Sequence, residues 1–201
     1  MRIPAGLYDA DRSLATLAAA RIPPDVGRVL SAVEEAAEST KLWWGAAAAM
    51  AWLGGRRGRR AAVTGLTALL LGQLVANGLG KRLADRPRPP KEWFPHDEVD
   101  DRPDSSSFPS GHTAAAVAFT AGVASAWPAA GAVCALPAAL VALERVQSGA
   151  HYPTDVVGGA VIGLAGAWLI HRAPRPIARR RAQGGRSWVG ESGQTETPSD
   201  D

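Results

Sequence analysis

Long stretches of this chain carry no charge. Residues 61–80 run for twenty positions without a charged side chain, and residues 113–143 run for thirty-one, broken by Pro128 and Pro137. About 20 apolar residues are needed for a helix to cross the hydrocarbon core of a bilayer. The runs at 42–55 and 156–170 are shorter, so each must recruit flanking residues to span. All four are rich in Ala and Gly, as close helix–helix packing in lipid favours. Trp43, Trp44, Trp127 and Trp168 fall near their ends, where an interfacial aromatic belt is expected. The average composition conceals this, because 46% hydrophobic residues and a mean hydropathy near zero would suit a soluble protein. The expected fold is all-α, a polytopic membrane bundle of five to six core helices. A soluble bundle of buried helices is the competing architecture.

Three short stretches carry chemistry. Lys81 is followed by Arg88-Pro89; then comes Pro109-Ser110-Gly111-His112; then Arg145, His151 and Asp155. Any one alone has a bland reading: a solvated basic turn, a small-residue helix start, a polar residue opening a helix. Together they supply what phosphoryl transfer needs. Charge spread over three equatorial oxygens is stabilised by fixed cations, with nucleophile and leaving group in line. Lys81, Arg88 and Arg145 provide the cations, arginine as a planar bidentate donor and lysine as a mobile point charge. Ser110 and Gly111 precede an apolar helical run, which places a hydroxyl and backbone N–H groups at a helix N-terminus suited to an anion. Pro153 fits a first helical turn, putting Asp155 close enough to accept a hydrogen bond from one nitrogen of His151 and leave the other unprotonated. His112 has no carboxylate beside it in sequence and suits a general acid.

These motifs resemble the three signatures of the phosphatidic acid phosphatase type 2 superfamily, over roughly residues 41–171. That superfamily includes lipid phosphate phosphatases, undecaprenyl-diphosphate phosphatases and vanadium haloperoxidases. The resemblance implies His151 as nucleophile, Asp155 as its partner and His112 as the acid. Lys81, Arg88, Ser110, Gly111 and Arg145 would be the phosphate ligands, with no metal and no cofactor. The implied activity is hydrolysis of a membrane lipid phosphate or diphosphate, of phosphatidate or polyprenyl type, through a phosphohistidine. A haloperoxidase holding vanadate in the same pocket and a non-catalytic membrane module are the alternatives. One departure stands out: Glu144 occupies a place where the family usually has serine, and it can compete with phosphate for Arg145.

Alternating spans put all three motifs on one membrane face. The other face receives Arg56, Arg57, Arg59 and Arg60, the turn at Pro128, and the basic tail, which the positive-inside rule makes cytoplasmic. The site is then extracytoplasmic in a plasma membrane. The acidic loop 91–104 suits an external mobile lid. Residues 1–38 read as an amphipathic, interfacial segment whose second half can instead complete a sixth core helix, residues 39–172 as the bundle, and 173–201 as a disordered tail, basic and then polar. No signal peptide is expected, because no apolar core follows the basic start. The tail can touch anionic headgroups but has no folded reader for nucleic acid. Cys134 is the sole cysteine, which excludes an internal disulfide, and His96 and His171 lie outside the motifs. The motifs leave the identity of the lipid and the oligomeric state open.

Overall fold

Proline opens three of the helices, one of them at Pro24. Pro128 and Pro153 each occupy a first helical position, where the missing N–H has no intrahelical partner to lose. The computed structural model describes residues 4–94 and 105–173, and among these it contains seven helices and no strand. They are α1 (Ala5–Arg21), α2 (Pro24–Ala37), α3 (Lys41–Leu53), α4 (Gly55–Leu83), α5 (Gly111–Ala126), α6 (Pro128–Gln147) and α7 (Pro153–Arg172). Residues 95–104 of the expected lid at 91–104, with His96, and residues 174–201 of the expected tail at 173–201 lie outside the described residues.

Pro137 is placed differently from the sequence reading. Pro137 does not interrupt the apolar run but sits inside α6. A proline there removes the helical hydrogen bond to the Val133 carbonyl, and at the next residue Thr120 of α5 donates its hydroxyl to the Cys134 carbonyl at 3.3 Å, tying α5 to α6 beside the proline. Arg56 to Arg60 are themselves helical, occupying the first turns of α4. Arg57 there donates to the Ala126 carbonyl at 3.2 Å, satisfying the C-terminus of α5.

The bundle packs on small side chains. α4 and α5 run antiparallel, so that a Cβ on Gly65 would meet Val123 at 2.7 Å and one on Gly72 would meet Ala114 and Ala118 at 3.1 Å. α7 runs parallel to α5, with Gly159 and Gly163 pressed on the Ser110 and Ala114 carbonyls. Ala47, Ala61, Ala115, Ala116 and Ala138 fill the main core around Leu69, Phe119 and Val141. Trp43 belongs to that core and not to an interfacial belt. Its ring lies 5.2 Å from Phe119, filling space that the surrounding alanines leave. Trp44 and Trp168 do face outward.

Large apolar residues point the other way. Leu74 is 69% exposed and Val133 74%, and Leu136, Val157, Val161 and Leu164 are also on the outside. A surface of Leu and Val over a core of Ala and Gly is the pattern of a protein whose solvent is lipid. Three helices, Gly55–Leu83, Pro128–Gln147 and Pro153–Arg172, are long and apolar enough to cross a membrane. α2 and α3 follow one another, separated by Thr40 in a left-handed conformation. α2 packs antiparallel along α6, with Gly27 near Gln147 and Ala37 in the cluster that holds Val141. The antiparallel alternation brings the C-termini of α4 and α6 together with the N-termini of α5 and α7 at one end.

Candidate active site

That end of the bundle holds a cavity of about 310 Å³. Lys81, Arg88, Gly111, His112, Arg145 and His151 all line it, so six of the eight residues singled out in the sequence share one chamber. The last turns of α4 are locally π-helical over Leu74–Gly80, a rare winding that recurs at functional sites. It places Asn77 on the cavity beside Gly111, where a Cβ would stand 2.4 Å from the Asn77 Oδ1. Gly80 similarly lies against the Pro109 ring, at 2.8 Å from where its Cβ would be. Close approach at these two glycines brings the end of α4 against the Pro109 to His112 turn.

The three cations are held apart by neutral or acidic partners. Lys81 Nζ donates to Ser105 Oγ at 3.1 Å, and Arg88 reaches the same hydroxyl at 3.4 Å. Arg88 Nη1 also donates to the Ala150 carbonyl at 2.6 Å. Arg145 is engaged on two edges. Its Nε meets Glu144 at 2.5 Å and its Nη2 meets Glu34 of α2 at 2.8 Å. The departure at Glu144 thus does occupy the guanidinium, and a second carboxylate joins it. Glu34 Oε1 is also 3.7 Å from His112 Nε2.

Ser110 and Asp155 stand behind the chamber. The Ser110 hydroxyl is buried as the N-cap of α5, accepting from the Thr113 N–H at 3.4 Å and bonded to the Thr113 hydroxyl at 3.0 Å. The cradle surface that reaches the cavity is therefore Gly111. The Ser110 N–H donates to the Asp155 carbonyl at 3.0 Å, tying the two motifs through backbone.

His151 is fixed in one tautomer. Its Nδ1 lies 2.6 Å from the Ser107 carbonyl, which can only accept, so Nδ1 carries the proton and Nε2 is the unprotonated nitrogen. The expected partner, Asp155, is 3.8 Å from Nδ1, beyond hydrogen-bond reach. Its carboxylate instead accepts from the Tyr152 N–H at 2.9 Å and from Arg86. Asp155 acts on the imidazole as a nearby charge. Burial pushes His151 below the ordinary histidine value, and the carboxylate works against that shift.

Several residues at the site escaped the sequence reading. Arg86 lies two positions before Arg88 and was eclipsed by the motif spacing. It is buried, bonded to Asp155, to Thr154 Oγ1 at 2.8 Å and to Asp11 Oδ2 at 2.7 Å. Ser107 contributes only its carbonyl, which no side-chain pattern reveals. Asp11 and Glu34 come from helices far back in the chain, and nothing local marks them.

Comparison with known proteins identifies the family and the fold. The family model of the PAP2 superfamily matches residues 61–179. A transmembrane PAP2-type phosphatidylglycerolphosphate phosphatase from Bacillus subtilis superposes with a TM-score of 0.60 at 22% identity, covering 83% of this chain and 85% of that one. The crystal structure of Aquifex aeolicus LpxE superposes with a TM-score of 0.59 at 24% identity, over 80% and 94% of the two chains. No curated protein matches the sequence. With the matched segment covering more than half of the chain and all three motifs inside it, this protein belongs to the PAP2 superfamily of phosphoric ester hydrolases.

Proposed function

We propose that the ester hydrolysed is a lipid phosphate or diphosphate, of phosphatidate or polyprenyl type, and that the reaction runs through a phosphohistidine at His151. The observation that carries this is the chamber itself, where an imidazole with a free Nε2 faces Lys81, Arg88 and Arg145. The cations hold the phosphoryl oxygens and leave phosphorus open to Nε2. As the N–P bond forms, the P–O bond to the leaving group breaks, and His112 delivers a proton to the departing oxygen. Water then gives up a proton to His112 while attacking phosphorus, the N–P bond breaks, and inorganic phosphate leaves. Ser110 supports the cradle by capping the helix that presents Gly111 and His112.

Location in the membrane supports a lipid substrate. The cavity opens at the end of a bundle whose flanks are apolar, so a headgroup can reach it while its tails remain in the bilayer. The same reading puts the site on the extracytoplasmic side, since Arg56, Arg57, Arg59 and Arg60 lie at the opposite end of α4 from Lys81.

The test uses protein purified in detergent, with chelator present and a panel of lipid mono- and diphosphates. Phosphate release is expected, along with an acid-labile phosphoenzyme that disappears in His151→Ala. Turnover retained in that variant, or phosphate released without any labelled enzyme, overturns the proposed intermediate.

A further inference from the structure

The N-terminal helix α1 precedes the family-matched segment, yet one of its side chains is among the most deeply buried polar groups in the molecule. Asp11 is 1% exposed. Its Oδ1 accepts from the Thr154 N–H at 2.9 Å, and its Oδ2 accepts from the Thr154 hydroxyl at 2.6 Å and from Arg86 Nη2 at 2.7 Å. Arg86 turns its other amino group to Asp155 and to Thr154 Oγ1. One guanidinium is therefore shared between a carboxylate of α1 and the carboxylate beside His151. An aromatic box closes over it. The Arg86 guanidinium lies 3.9 Å from the Tyr152 ring centroid, and Tyr8 of α1 packs 6.3 Å from Tyr152 and 6.0 Å from Trp93. Burying three charged groups is costly unless they satisfy one another, and here every partner is supplied by two distant segments and α7.

We propose that α1 is a working part of the active site: Asp11 and Arg86 are positioning residues that orient Asp155 and set the charge that His151 feels. This rests on the reading of His151 as the nucleophile. Arg86 draws Asp155 away from the imidazole, so the Nδ1–H donates to the Ser107 carbonyl and the carboxylate contributes only through space. Asp11 tempers that pull by claiming half of the guanidinium. The two residues consequently push His151 in opposite directions. Removing the Asp11 charge leaves Arg86 undivided on Asp155, which weakens the negative field at the imidazole and disfavours its protonation. Removing Arg86 leaves two carboxylates unneutralised, which favours protonation and frees Asp155 to approach Nδ1. The other groups acting on His151 are Arg88, Arg145 and Asp155. His112 and Lys81 line the same chamber. None of them is itself substituted, and of these only Asp155 touches Arg86. Tyr152, whose hydroxyl burial pushes up to about 12, stays neutral throughout.

The experiment measures kcat and KM against pH for full-length Asp11→Asn, Arg86→Gln and Arg86→Lys with a lipid phosphate. In parallel, the His151 titration is followed by NMR of histidine-labelled protein, assigned with His151→Ala. The acid limb of kcat/KM and the His151 midpoint should both move down by about half a pH unit in Asp11→Asn and up by at least as much in Arg86→Gln. Arg86→Lys should restore the midpoint while recovering only part of kcat, because lysine keeps the charge and loses the two-way fork. KM should stay within about twofold, since neither residue lines the cavity. Shifts of the same sign in the two charge-removing variants, or loss of kcat with an unmoved midpoint, make the network merely structural and overturn the proposal. If Arg86→Gln does not fold, Asp11→Asn decides alone: a midpoint that fails to fall refutes it. An unlabelled, inactive wild type would instead overturn the nucleophile reading, and the NMR midpoints would still judge the charge network.

Discussion

The contact between α5 and α7 gives a prediction whose size follows from the coordinates. A Cβ built on Gly159 would lie 2.4 Å from the Ser110 carbonyl oxygen and 3.3 Å from the Ala114 nitrogen. A carbon and an oxygen need roughly a further 1 Å, and the obstacle is backbone, so α7 itself must retreat in Gly159→Ala. That retreat stretches the 3.0 Å bond from the Ser110 N–H to the Asp155 carbonyl beyond hydrogen-bond range. Overpacking costs about 1–3 kcal/mol and the lost bond about 1 kcal/mol more, for a total near 2–4 kcal/mol. Function should suffer further, because α7 carries Asp155 and follows His151, whereas α5 carries Gly111 and His112. A misplacement of about 1 Å between such groups can cost roughly a hundredfold in rate. The control is Gly45→Ala in α3, an exposed helical glycine with nothing within 4 Å of its Cβ, which should be neutral or stabilising by up to about 1 kcal/mol. Thermal unfolding in detergent and lipid phosphatase activity read both variants. Equal behaviour of the two, or a Gly159→Ala protein with unchanged unfolding temperature and rate, refutes the claim that backbone contact sets the spacing of the site.

Two further outcomes follow from the site. Glu34→Gln removes the charge that meets Arg145 at 2.8 Å, so inorganic phosphate should inhibit about three- to tenfold more tightly; unchanged inhibition would show that the carboxylate does not compete for the guanidinium. His151 is neutral in the fold because burial holds it below 6.5, its usual value. Its contribution to stability is therefore full above pH 6.5 and declines as pH falls toward the folded-state midpoint, and the acid limb of kcat/KM lies below 6.5. A limb at or above 6.5 in the wild type would contradict that burial.

The charge-free runs and the three motifs were sufficient for the fold class, the membrane setting and six residues of the chamber. Each of those is a local signal. Helix length is counted along the chain, and motif spacing records which end of a helix a side chain occupies. Alternation of spans then brings those ends together without any knowledge of packing.

Tertiary structure decided what surrounds them. Trp43 went to the core because a large ring was needed beside facing alanines, although its position near a span end suggested an interface. Ser110 was recruited as a helix cap, and His151 donates its Nδ1–H to a backbone carbonyl in preference to the carboxylate four residues on. That choice depends on Arg86, which holds Asp155, and on Asp11, which lies 143 residues before its partner Thr154. No pattern along the chain encodes such pairings, since a charge becomes indispensable only when folding removes the water that would otherwise have satisfied it.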